Sequence, residues 1–198
     1  MAVACDDGEV RKLGEGATAV ACVSYFELRP VSASVGLIHI DGLDATSIIS
    51  ALVRRISRPP GVVFLDSITI GGFNVVSLAG LYRLTGLPVV VVYSYSPSIE
   101  RLRPPLEKHF ADWEVRLRAL RPIEAAFEAE TRRGRVYIVT WGVEEATAVR
   151  LVESYQLYTR IPEPLRVAHR LASEVSRLIS AEARRPGPSP SGNQPRGL

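Results

Sequence analysis

The sequence predicts one α/β domain on a mixed sheet, antiparallel in its N-terminal strands and parallel through a later βαβ unit, with helices on both faces. Three observations predict it. Residues 17–28 and 33–40 are β-rich runs whose link, containing Arg29-Pro30, is short enough for a hairpin. Two apolar runs, Gly61-Val-Val-Phe-Leu-Asp66 and Pro88-Val-Val-Val-Val-Tyr93, read as buried parallel strands around a helical segment. The chain then closes on a long amphipathic stretch.

The elements follow in order. Residues 1–5 read as a short strand that stops at Asp6-Asp7-Gly8. After the hairpin the period changes: Ile48, Ile49, Leu52, Val53 and Ile56 follow helical spacing, with Asp44 as N-cap and Pro59-Pro60 as the stop. Between the two apolar strands, Val75, Val76, Leu78, Ala79, Leu81 and Tyr82 predict a helix that ends at Gly86. The Pro-punctuated segment from Ser94 to about Trp113 suits short helices, Val136 to Trp141 a further strand, and a helix begins near Val143. The last helix runs from about Glu163 to Ala183, with Leu165, Ala168, Leu171, Ala172, Val175, Leu178 and Ile179 as its buried stripe. A ribonuclease-H-like core is built in this order. The domain is expected to span residues 1–183, and residues 184–198 form a Pro/Gly/Ser-rich tail, disordered by composition.

Composition narrows the function classes. No apolar run approaches the roughly 20 residues of a membrane helix, and the N-terminus has neither the basic region nor the apolar stretch of a signal peptide, so a cytoplasmic protein without membrane contact is expected. Cys5 and Cys22 lie in apolar runs and read as buried free thiols in a reducing compartment. The formal charge of +3 points toward nucleic acid, but Arg184, Arg185 and Arg196 sit in a tail without acids, which leaves the domain neutral. Any nucleic-acid surface is therefore a local patch.

The chemistry-bearing residues are aspartates at the carboxyl ends of strands, where open α/β sheets bind ligands. Asp6 and Asp7 end the first strand, Asp41 and Asp44 lie between the hairpin and the first helix, and Asp66 ends the first parallel strand. Carboxylates gathered without cationic partners repel one another unless a proton or metal neutralises them. A magnesium ion suits such oxygens together with substrate phosphate, and phosphodiester cleavage is the usual task. Each acid also has a plainer reading: Asp44 as a helix cap, Asp41 as a turn residue, one of Asp6 and Asp7 as a solvated turn. Asp66 follows four apolar residues and no cap role accounts for it. Gly71-Gly72 relieves crowding in a turn, or lets backbone amides approach a phosphate. His39 shares a strand face with Leu37 and Asp41, His109 reads as a surface residue, and His169 borders the buried stripe of the last helix as a core histidine. Arg166, Arg170, Ser173 and Arg177 line one side of that helix as a solvated face, with Arg166 near enough to its start to face the site.

The runs Ile40-Asp41-Gly42-Leu43-Asp44-Ala45-Thr46, Phe64-Leu65-Asp66, Gly71-Gly72-Phe73-Asn74-Val75-Val76, Thr85-Gly86-Leu87-Pro88 and Pro162-Glu163-Pro164-Leu165-Arg166-Val167-Ala168-His169 resemble the archaeal endonuclease dU family, which is distantly similar to endonuclease V. The resemblance implies a ribonuclease-H-like fold and a magnesium-dependent endonuclease, with manganese as the alternative ion, that cleaves DNA at deaminated bases, deoxyuridine in particular. It implies Asp6, Asp66 and Asp44 as catalytic residues, with Asp41 as the alternative to Asp44, and Asp7 and Asp41 as further metal ligands. Gly71, Gly72, Asn74, Arg166 and His169 would contact nucleic acid. Two positions depart from the pattern: Ser67 stands where relatives carry glycine, and Tyr93-Ser94-Tyr95 replaces a basic residue for which Arg101 or Arg103 would substitute. The competing readings are a non-catalytic module that binds nucleic acid or a nucleotide, and a small phosphohydrolase.

Overall fold

Alternation in the first strand sets the frame for the whole molecule. In the computed structural model, which describes residues 1–10, 16–56 and 60–182, β1 (Ala2–Asp7) is buried along both faces. Val3 and Cys5 enter one apolar cluster and Ala2 and Ala4 the other. A period of two then sends Asp6 toward the second face and Asp7 toward the first.

β2 (Ala17–Phe26) and β3 (Arg29–His39) form the expected hairpin, turned at Glu27 in a left-handed conformation, and β2 runs antiparallel to β1. β4 (Val63–Leu65) and β7 (Val89–Tyr93) add to β1 in parallel. β8 (Phe127–Thr131) and β9 (Gly134–Trp141) close the far side antiparallel, which gives the order β3-β2-β1-β4-β7-β9-β8. On the face of Val3, Cys5, Val20, Leu65 and Val91 pack α1 (Ala45–Arg54), α2 (Leu78–Thr85), α3 (Ile99–His109) and α4 (Trp113–Leu120). The other face receives α5 (Glu145–Tyr155) and α6 (Glu163–Glu182), whose Ala148, Val152, Leu165 and Ala168 meet Ala4, Phe64 and Val92. Burying one such Val, Leu or Phe contributes roughly 1.5–3 kcal/mol, so the two clusters hold the strand ends of the central sheet in fixed register. Among the described residues no helix is long and apolar enough to cross a membrane.

Four expectations need correction. Cys5 and Cys22 are not free thiols; they form a disulfide, with Cα atoms 4.1 Å apart. They lie directly opposite one another in the antiparallel β1–β2 register, so their side chains share a face. Val75 is not helical. A small hairpin of β5 (Thr69–Ile70) and β6 (Asn74–Val75) follows β4, and α2 begins only after Ser77, whose hydroxyl accepts the Gly80 amide. Asp44 occupies the N-cap position of α1 without a side-chain cap bond; the Asn74 Oδ1 from β6 accepts the Ala45 amide instead, at 3.0 Å. The buried stripe of α6 ends with Ala172, Ser173 and Ser176, while Leu178 is 70% exposed. Ser176 replaces the expected apolar residues because its Oγ meets the Ala19 amide and the Thr18 hydroxyl, both at 3.0 Å. The tail from residue 184 lies outside the described residues.

Candidate active site

The central sheet brings two of the predicted acids side by side. The parallel β1–β4 register pairs Ala4 with Phe64 and Cys5 with Leu65, so the next positions, Asp6 and Asp66, leave adjacent strand ends on the same face. Their carboxyl groups are close enough to shift one another's protonation. Asp6 is almost fully buried. Asp66 is half-buried as a residue, but its Oδ1 is enclosed and has no hydrogen-bond partner.

The electrostatics follow from that placement. Burial pushes the Asp66 carboxyl well above the ordinary carboxylate range, and the neighbouring charges of Asp6 and Asp7 add to the effect. Asp6 is raised by burial and then by Asp7; Asp7 is raised by burial, against the Gly71 amide that favours its charged form. Two near-parallel strands thus hold a carboxyl pair that a proton or a cation must neutralise.

Asp7, on the opposite face, takes the Gly71 amide on its Oδ2 at 2.7 Å and so anchors the β5–β6 turn. Gly71 has φ +62°, and an added Cβ would stand 2.9 Å from the Ile38 Cδ1, so both conformation and space require glycine there. Asp41 and Asp44 belong to the adjoining loop. Asp41, itself at φ +58°, donates its amide to the Gly71 carbonyl at 2.8 Å and accepts the Phe73 amide at 2.7 Å. Asp44 is bound on both oxygens, by the Asn74 Nδ2 at 2.6 Å and the His39 Nδ1 at 2.7 Å, which holds its carboxyl below the usual range despite partial burial. The structure therefore brings Asp6 and Asp66 together, leaves Asp7 as a neighbouring charge on the opposite face, and ties Asp41, Asp44, Gly71 and Asn74 into the loop network beside them.

A residue of α6 completes the pair. The His169 Nδ1 is 3.0 Å from the Asp6 Oδ2, and its side chain is 60% exposed. This corrects the core reading: Ala168 is buried in the stripe of α6 as expected, and His169 beside it faces the strand ends rather than the core. His109 is exposed, and His39 serves Asp44 rather than the acid pair.

Asp6, Asp66 and His169 line a cleft of about 580 Å³ together with Ser67, Tyr93, Tyr95, Arg160, Arg166 and Arg170. Ser67 bonds the Thr69 hydroxyl at 3.0 Å, and the buried Tyr93 hydroxyl accepts the Ile68 amide at 3.1 Å, so the turn after Asp66 is fixed from both sides. Burial raises the Tyr93 phenol to about 12. Arg101 and Arg103 do not line the cleft; Arg103 pairs with Glu107 on α3. The cations facing the acids are Arg160, from the loop before α6, with Arg166 and Arg170 of α6, and Arg166 is held by Glu163 at 2.7 Å. Arg160 belongs to no periodic face or motif, and Tyr95 stood in the sequence only as part of the run that replaces a basic residue, so neither was expected at the cleft.

Beneath the loops lies Arg116 of α4, a buried residue that no sequence pattern marked. Its Nη1 donates to the Phe73 carbonyl at 2.7 Å and the Gly42 carbonyl at 3.0 Å, and its Nε to Asp112 at 2.9 Å. It joins the loop of Asp41 to the turn of Gly71.

As to a metal, the donor chemistry fits a hard cation: clustered carboxylate oxygens, one of them enclosed and unsatisfied. Among the described residues, no three side chains of His, Cys, Asp or Glu are grouped to hold an ion by themselves.

Known proteins resemble the chain over this whole arrangement. The family Endonuclease dU matches residues 1–176. A UPF0215 protein of Aeropyrum pernix is 51% identical over 180 residues, which cover 88% of this chain and 97% of the relative. One of Pyrococcus furiosus is 36% identical over 181 residues, covering 89% and 92%. Among solved structures, a protein of unknown function from Archaeoglobus fulgidus superposes with a TM-score of 0.75 at 30% identity, covering 87% of this chain and 96% of its own. Human ENDOV gives a TM-score of 0.60 at 20% identity, covering 90% and 85%. Endonuclease V of Ciona intestinalis, in complex with inosine-containing DNA, gives 0.57 at 15%, covering 92% and 87%. The last two likenesses establish the ribonuclease-H-like fold. With a family match that runs through β1, β4 and α6, the elements that carry Asp6, Asp66 and His169, the chain belongs to the endonuclease dU family.

Proposed function

We propose that this member of a nuclease family is a magnesium-dependent endonuclease that cleaves DNA at deaminated bases, deoxyuridine in particular. The observation that carries the reading is the buried Asp6–Asp66 pair, with the unsatisfied Asp66 Oδ1, at the floor of a cleft rimmed by arginines. Asp6 and Asp66 would hold the ion. Magnesium commonly takes one or two protein carboxylates and fills its shell with water and substrate phosphate, and when bound it supplies an activated water and charge stabilisation.

The chain's own residues account for the rest. The His169 Nδ1 fixes the Asp6 carboxylate, leaving the other ring nitrogen toward the cleft, where it would pass a proton to or from an oxygen of the reacting phosphate. Arg160, Arg166 and Arg170 would bind and orient phosphates through their planar donors. Asp7 and Asp41 keep the β5–β6 turn in place through Gly71 and Phe73 rather than by touching substrate.

A non-catalytic binding module is favoured by one observation, the commitment of both Asp44 oxygens to His39 and Asn74, which removes the third catalytic acid that the family resemblance implies. A nicking assay separates the two readings. The nuclease nicks deoxyuridine-containing DNA only with a divalent cation and loses the activity in Asp66→Ala; a binding module retains the DNA and turns nothing over.

A further inference from the structure

We propose that the cleft takes a single unpaired strand of nucleic acid, with a base stacked on Tyr95 and the adjoining phosphates on Arg160 and Arg170. The proposal rests on the reading of the cleft as a nucleic-acid site, and it adds the strand state and the residues that select it.

The placement of aromatic and basic groups carries the inference. Tyr95 lines the cleft and is 66% exposed. Its ring lies 6.5 Å from that of the buried Tyr93, which braces it from the sheet side. Across the sequence, Tyr158 is 74% exposed and immediately precedes Thr159 and Arg160, which also line the cleft. A phenol ring left in water forgoes the burial that such a large side chain usually finds. Tyr95 supplies within the cleft the flat face on which an unpaired base stacks, and Tyr158 adjoins the lining segment in sequence.

The cations point the same way. Among the described residues neither Arg160 nor Arg170 has an acidic partner, unlike Arg166. The Arg160 backbone is fixed, since its carbonyl accepts the Gln156 Nε2 at 2.6 Å, so the loop presents the guanidinium from a held position. Among those residues Arg170 keeps its planar donors free of acids and Arg160 gives only its Nη1, at 3.5 Å, to the Arg135 carbonyl, so both retain donors that suit phosphate oxygens. A duplex would use this rim poorly. Its bases already stack on each other and turn no face to Tyr95. The domain without its tail is formally neutral, so it lacks the broad basic surface that non-specific duplex binding employs.

Fluorescence anisotropy of the full chain tests the proposal, in EDTA so that binding is read without cleavage. The probes are an unmodified single strand of about 15 nucleotides, near the upper site size of single-strand folds, and its matched duplex. The single strand binds more tightly than the duplex. Tyr95→Ala weakens single-strand binding about 5- to 150-fold, the range for losing one stacked base, and Tyr95→Phe restores it because the ring face is kept. Arg170→Ala lowers the slope of log affinity against log salt by about 0.7, one phosphate on a single strand. Equal binding of strand and duplex, wild-type affinity in Tyr95→Ala, or a Tyr95→Phe variant as weak as Tyr95→Ala each overturn it. The nuclease reading fails separately: Tyr95-dependent binding without any nicking refutes cleavage and upholds the strand site, whereas nicking with Tyr95-independent binding does the reverse.

Discussion

Replacing Arg116 by methionine tests the claim that one buried guanidinium holds the two loops beside the acid pair. Methionine keeps much of the aliphatic volume and removes every donor. Two bonds to backbone carbonyls are lost, to Phe73 at 2.7 Å and to Gly42 at 3.0 Å. Hydrogen bonds from a charged donor contribute about 1.5–3 kcal/mol each, so the pair accounts for about 3–6 kcal/mol. The guanidinium also lies 4.4 Å from the centroid of the Phe110 ring, a contact worth about 0.5–2 kcal/mol. The bond to the more exposed Asp112 adds at most about 1 kcal/mol. The carbonyl bonds dominate. For a chain of this size each kcal/mol lowers Tm by roughly 2–4 °C, which predicts a fall of about 6–24 °C. Urea unfolding should show the midpoint falling with an unchanged m-value, as for a stability effect alone. Arg116→Lys, which reaches one carbonyl at a time, should recover about half of the loss. A loss of about 0.5 kcal/mol or less, the range of ordinary surface substitutions, would mean that the loops hold one another without Arg116.

Further outcomes follow from the acid pair and the cysteines. Because burial raises Asp66, the folded chain binds more protons than the unfolded one above the ordinary carboxylate range, so stability falls as pH rises through the raised value. Asp66→Asn removes the Asp66 share of that dependence, leaving that of Asp6 and Asp7: in EDTA, thermal melts from about pH 5 to about pH 8 should show wild type losing stability relative to the variant, with magnesium restoring it, and parallel curves would contradict the shift. Denatured chain without reductant should show no free thiol and, after reduction, both cysteines. Cys22→Ser should cost about 3 kcal/mol, the loop-closure value for a bridge spanning 17 residues; two thiols before reduction would contradict the disulfide.

The sheet was legible because its central strands are unusually plain. Val62 to Leu65 and Val89 to Val92 are apolar on both faces, which only a sheet covered by helices on both sides explains. That Asp6 and Asp66 both end apolar strands could be read, but their adjacency needed the parallel β1–β4 pairing, which lies outside the βαβ unit of β4, α2 and β7. What the sequence hid were residues whose role depends on another segment. Val75 carries helix-like spacing, yet it pairs with Thr69, and the Asp41 and Asp7 contacts on Gly71 and Phe73 fix that turn. Ser176 looks polar and external in sequence; only the proximity of Thr18 and the Ala19 amide makes it a buried anchor. His169 sits one residue from the apolar stripe, and a rotation of one position decides between core and cleft. The cysteine pair needed the register of the β1–β2 ladder, which composition does not carry.

Nicking of a deoxyuridine-containing duplex and single strand by the full chain, with magnesium and with EDTA, tests the central claim that the Asp6–Asp66 pair is a catalytic centre. Cleavage is expected with magnesium, none in EDTA, and none by Asp66→Ala although that variant still binds the strand. Cleavage by Asp66→Ala at the wild-type rate, or no cleavage by the wild type with magnesium, would contradict that claim.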